Sequence, residues 1–164
     1  MISLAVGLVL VVLIGWHVFG GYGAPLQSLR VLSAREQKIV AACADASFPE
    51  GGDPALSGVQ AGLVSYIDGH VASIQPDKRF LIRLLFVFIE LHPWVFGPYR
   101  RRFTKLSAPQ QIETLVALQT HKLYFLRVTL VSIRTLFCLG YMANPEVAER
   151  VGIGSSSTPF GLRA

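Results

Sequence analysis

Charge is missing from the start of this chain: no Asp, Glu, Lys or Arg precedes Arg30. A surface helix needs a polar face, so an uncharged stretch of this length reads more simply as a membrane segment than as part of an oversized core. Cysteine is almost as scarce. Cys43 and Cys138 stand far apart with no framework around them, and both fall at apolar positions of expected helices, so free, buried thiols are expected rather than a disulfide.

Catalytic signatures are missing too. There is no G-x-S-x-G elbow, and neither cysteine adjoins a histidine in sequence. His17, His70, His92 and His121 share no spacing of two, three or four residues, which argues against a first-shell metal site. Gly152-Ile153-Gly154-Ser155-Ser156-Ser157 opens like a phosphate-cradling loop, but Ser157 stands where the third glycine belongs. No catalytic, cofactor-binding or metal-binding residue is assigned.

What is present begins with Ile2–Tyr22, about 20 uncharged residues, enough to cross a hydrocarbon core of roughly 30 Å. Trp16, His17 and Tyr22 sit at its end, as interfacial aromatics do. No Lys or Arg precedes it, which favours an uncleaved single-pass anchor over a signal peptide. Arg30, Arg35 and Lys38 follow it, so the body of the protein leans to the cytoplasmic side, with the periplasmic side as the alternative.

The expected organisation is an anchor and linker over 1–29, a helical bundle over 30–153 and a disordered tail over 154–164. Ser33 and Glu36 form a capping box opening a helix over Ala34–Ser47, with Ile39, Ala42, Cys43 and Ala46 inward. Phe48–Pro54 reads as a loop, Val59–Ile74 as a helix weakened by glycine, and Asp77 as the cap of a helix ending at His92-Pro93. Ser107, Pro109 and Gln110 open what reads as one long helix from Ala108, apolar on nearly every side beyond Leu123 and so expected to be buried all round. Gly140 stops it, and Asn144-Pro145-Glu146 starts a last short helix. The fold class is all-α: an N-terminal transmembrane helix, then a small bundle built around one long buried helix.

The net charge of +5 is unevenly distributed: −2 over residues 30–76, +5 over 77–105 and +2 over 106–164. Its centre is Arg100, Arg101, Arg102 and Lys105, flanked by Tyr99 and Phe103. This cluster is a candidate contact for an acidic partner face or anionic lipid; with no DNA-binding motif, nucleic acid fits least. Arg83 with Glu90, and Arg127 with Arg134, repeat a seven-residue spacing and are expected to meet as internal ion pairs across antiparallel helices, or to offer an arginine to a partner.

Three stretches, LSAREQKIVAACADASFPEGG at 32–52, the R-F-x-x-L of Arg102–Leu106 and LGYMANPEVAERVGI at 139–153, resemble the gluconate 2-dehydrogenase subunit 3 family. The resemblance rests on Leu32, Ser33, Glu36, Ala44, Asp45 and Pro49, and on Tyr141, Asn144, Pro145, Glu146, Gly152 and Ile153. Members are small helical accessory subunits of flavin-dependent glucose-methanol-choline oxidoreductases. The resemblance implies a non-catalytic subunit that binds and anchors a flavoprotein acting on alcohols, sugars or sterols, with FAD carried by that partner. Members often carry a twin-arginine signal, which is absent from this chain. A membrane-anchored module holding lipid or another apolar ligand between Phe80–Phe88 and Tyr124–Phe137 is the alternative.

Overall fold

The computed structural model of this chain describes residues 20–152 together with Gly15. Most of the expected anchor and all of the expected tail lie outside the described residues. Six α-helices and one 3-10 turn, with no strand, make up the described residues: α1 Ala34–Ser47, α2 Leu63–Ser73, α3 Arg79–Val95, the 3-10 turn Phe103–Lys105, α4 Ala108–Gln119, α5 Tyr124–Met142 and α6 Pro145–Arg150.

Local chemistry accounts for most of these boundaries. At α1 the Ser33 hydroxyl accepts from the Glu36 N–H while the Glu36 carboxylate accepts from the Ser33 N–H at 2.8 Å, the expected reciprocal cap. Ser107 and Gln110 repeat it at α4, and Asn144 accepts from the Glu146 and Val147 N–H groups to open α6. Two ends differ from expectation. Asp77 does not cap α3; the turn before it, with the Lys78 and Arg79 N–H groups donating to the Gln75 carbonyl, feeds the chain into the helix. Pro93 does not stop α3, which runs on to Val95, because the lost donor falls in the last turns, where few carbonyls remain to be paired.

The run from Ala108 is not one helix. It breaks at Thr120–Leu123, so that α5 folds back against α4 and buries Leu118 with Leu126 and Leu130 in a small cluster. A straight helix would have left that apolar surface in water, and neither glycine nor proline marks the break. His121 holds it: its Nδ1 accepts from the Leu123 N–H at 3.1 Å and its carbonyl from Arg127 at 3.0 Å.

The main core joins α1, α2, α3 and the inner side of α5, with Ile39, Val40, Leu63, Ile67, Phe86, Phe103 and Phe137 fully buried. Tyr22, expected at a membrane interface, is buried in this core, and so is Leu32, which ties the linker to the bundle. Nor is α5 buried all round. Leu126, Leu130, Ile133 and Phe137 face inward, while Tyr124, Val131 and Leu139 are 73%, 62% and 56% exposed. With this few helices among the described residues, one side of α5 has none of them packed against it. It is the one helix among the described residues long and apolar enough to cross a membrane, by length and composition alone.

Candidate functional site

The basic stretch predicted at Tyr99–Lys105 splits into two populations. Arg100, Arg101 and Lys105 are exposed, and with Arg102 they line a shallow concavity of about 330 Å³. Arg102 and Phe103 are instead buried, a correction to their expected place on the surface. The reason is a fully buried carboxylate. Glu90 on α3 accepts from the Tyr22 hydroxyl at 2.6 Å, the Thr104 hydroxyl at 2.7 Å and the Thr104 N–H at 3.1 Å. The Arg102 guanidinium stands 4.0 Å from it and stacks over the Tyr22 ring at 4.7 Å, so the charge pair and its hydrogen bonds offset the desolvation of both ions. Burial and the bond to Glu90 push the Tyr22 phenol up to about 12. Tyr99 is half-buried and its hydroxyl donates to Glu113, which raises the phenol's pKa.

The four residues expected to pair with one another do not. Arg83 reaches Glu36 on α1 at 3.4 Å and the Val31 carbonyl at 3.0 Å; Glu90 faces Arg102; Arg127 is spent on the His121 carbonyl. Arg134 is exposed and has no ion pair among the described residues. At the α3–α5 crossing Phe88 and Phe125 meet edge to face at 4.8 Å, a contact within the seam suggested for a ligand.

Two openings share Arg134 in their lining. One, about 160 Å³, runs between α4 and α5 along Ile112, Leu115, Val116 and Leu130. The other, about 420 Å³, follows Val131, Thr135, Cys138, Leu139 and Met142 on the outer side of α5. Cys138 therefore lies exposed rather than buried as expected, while Cys43 sits in the core, where burial pushes its thiol well up; both are free.

Among the described residues, His92 is a buried polar side chain with both ring nitrogens unsatisfied. It lies against Phe96 and against His121 at 5.7 Å between rings. Burial, with His121 alongside, pushes its pKa down to about 4, so it packs as a neutral ring. Among the described residues no cluster of three His, Cys, Asp or Glu side chains stands ready for a metal.

Residues from the two ends of the family resemblance come together. Tyr141 stacks on Phe48 at 4.0 Å with the rings nearly parallel, and its hydroxyl donates to the Leu56 carbonyl at 2.6 Å. Asn144 donates to the Ala61 carbonyl, and Asp45 accepts from the Val59 N–H at 3.0 Å. Gly58 passes so close to α1 that a β-carbon there would stand 2.5 Å from the Ala44 carbonyl oxygen. These residues clamp the 48–62 loop between α1 and the α5–α6 corner.

Two other buried polar groups escaped sequence reasoning. Asp68 accepts from the Arg30, Val31 and Leu32 N–H groups at 2.8–2.9 Å. Burial alone would raise its carboxyl, but those three donors outweigh it and hold the pKa below the ordinary value. Gln37 accepts from the Leu26 and Gln27 N–H groups and donates to the Gln27 and Leu32 carbonyls. An exposed-looking helix position gives no hint of either, since the partner is a loop that only the fold brings near. No protein-family model, no curated protein and no solved structure matches this chain.

Proposed function

We propose that this chain is a non-catalytic accessory subunit that binds a flavin-dependent alcohol-, sugar- or sterol-type dehydrogenase or oxidase and holds it at a membrane. The observation that carries the reading is the uncovered outer side of α5. Tyr124, Val128, Val131, Thr135, Cys138 and Leu139 recur at helical spacing along it, and all are exposed. A continuous apolar stripe of this kind on a small protein marks a surface that another chain covers. The resemblance to subunits of flavin oxidoreductases supplies the kind of partner, and the clamp joining Asp45, Tyr141 and Asn144 gives its motif residues a common structural role. FAD belongs to the partner, so no redox step is assigned to this chain.

Purification of the tagged full chain from native membranes in mild detergent tests this. A stoichiometric flavoprotein with a yellow spectrum is the expected result. Val131→Asp with Leu139→Asp should release it while the chain itself stays folded by circular dichroism. Absence of any flavoprotein sinks the reading. The α4–α5 groove, lined by Ile112, Leu115, Val116 and Leu130 with Ser47, Gln119 and Arg134, favours a second reading in which the chain holds an apolar ligand bearing an anionic group. Mass spectrometry that finds such a ligand without a flavoprotein would support it instead.

A further inference from the structure

Cations crowd Gly20–Tyr22. Arg102 donates to the Gly20 carbonyl at 2.8 Å and stacks over Tyr22, and the Lys38 ammonium donates to the Tyr22 carbonyl. These contacts fix Gly20–Tyr22 against the 3-10 turn. Arg100, Arg101 and Lys105 share a concavity with Arg102; they are exposed, and their side chains make no hydrogen bond or ion pair among the described residues. Lys105 also borders a second hollow, about 220 Å³, shared with Gly21, Tyr22 and Lys38. Arg100 takes a φ of 50°, a backbone conformation that costs a residue with a β-carbon energy and recurs where side chains are held for binding.

We propose that Arg100, Arg101 and Lys105 form a headgroup site for an anionic phospholipid of the bilayer that the uncharged N-terminal segment enters. The proposal rests on reading that segment as a membrane anchor. If it is one, the chain leaves the bilayer before Gly20, whose carbonyl Arg102 holds, and the cations next to Arg102 in the shared concavity would stand near the level of the phosphodiesters. Guanidinium groups suit the phosphate oxygens because they donate two parallel hydrogen bonds. A zwitterionic lipid offers the same phosphate with a compensating cation, so the site should discriminate by net headgroup charge.

Native mass spectrometry of the full chain in neutral detergent, with phosphatidylglycerol and phosphatidylcholine of equal chain length, tests it. The expected result is one retained phosphatidylglycerol and little phosphatidylcholine. Combining Arg100→Gln, Arg101→Gln and Lys105→Gln should weaken retention on the order of a hundredfold, the worth of three cations at an anionic surface. Combining Lys78→Gln, Lys122→Gln and Arg150→Gln, which removes as much charge elsewhere, should leave retention unchanged. Equal loss from both variants, equal retention of the two lipids, or displacement of the lipid by inorganic phosphate overturns the site. An alkaline carbonate wash of native membranes separates the two ideas. A chain that washes off ends the anchor reading and the site with it; one that stays, with retention unaltered by the first variant, ends the site alone.

Discussion

His92 is packed as a neutral ring among rings, and that choice makes stability depend on pH. Its folded pKa of about 4 lies below the unfolded value, so the unfolded chain binds the proton first as pH falls. The contribution is complete above roughly pH 6.5 and is lost between there and about pH 4, a total of roughly 3 kcal/mol. Urea unfolding across that range should show the slope, and His92→Leu should flatten it; an unchanged slope would mean that the carboxylates carry the acid sensitivity. Asp68 has the opposite role, an ion held by three backbone donors. Asp68→Ala leaves those N–H groups without a partner and should cost roughly 3 kcal/mol or more in chemical denaturation. Loss of under about 1 kcal/mol would show that water replaces the carboxylate.

At the scale of elements, glycine separates close packing from open helix. Gly140 lies in α5 where a β-carbon would stand 2.6 Å from Cδ1 of the Tyr66 ring, whereas Gly69 in α2 has nothing within 4 Å. Gly140→Ala should therefore destabilise by about 1–3 kcal/mol, through overpacking of the α2–α5 contact. Gly69→Ala should stabilise by about 0.5–1 kcal/mol, from helix propensity alone. Thermal melts of the pair check both signs, and stabilisation by both substitutions would mean that the Tyr66 ring moves aside freely. Gly140 was read from sequence as a helix stop, yet it is an inner position of a helix that continues to Met142. Small size, not backbone freedom, is what the fold uses there.

For the whole molecule, apolarity and positive charge share one half of the chain. No acidic residue occurs between Glu113 and Glu146, and that interval holds all of α5 with its exposed stripe. On the proposed reading, the exposed stripe of α5 and the basic concavity would serve as separate surfaces, one for a protein partner and one for lipid. Neutralising the basic concavity should leave flavoprotein binding intact, because its cations lie outside α5; co-purification from the triple variant measures this. Joint loss of flavoprotein and lipid would mean that one surface serves both.

At three helix starts the information was local, and there the sequence alone determined the outcome. The capping pairs Ser33–Glu36 and Ser107–Gln110, the Asn144 cap and the all-α class follow from neighbours a few residues apart, and each stands in the structure. Where a residue's fate depends on a distant partner, only the tertiary structure decided it. The seven-residue spacing put Arg83 and Glu90 on one helix side but did not say that Glu36 and Arg102 would meet them. The apolar run after Leu123 called for burial, yet burial on one side of α5 was all that the neighbouring helices could supply. Arg102 and Arg101 are identical and adjacent in sequence. One is buried beside Glu90 and the other is left in water, because a single carboxylate in the core had room for one guanidinium.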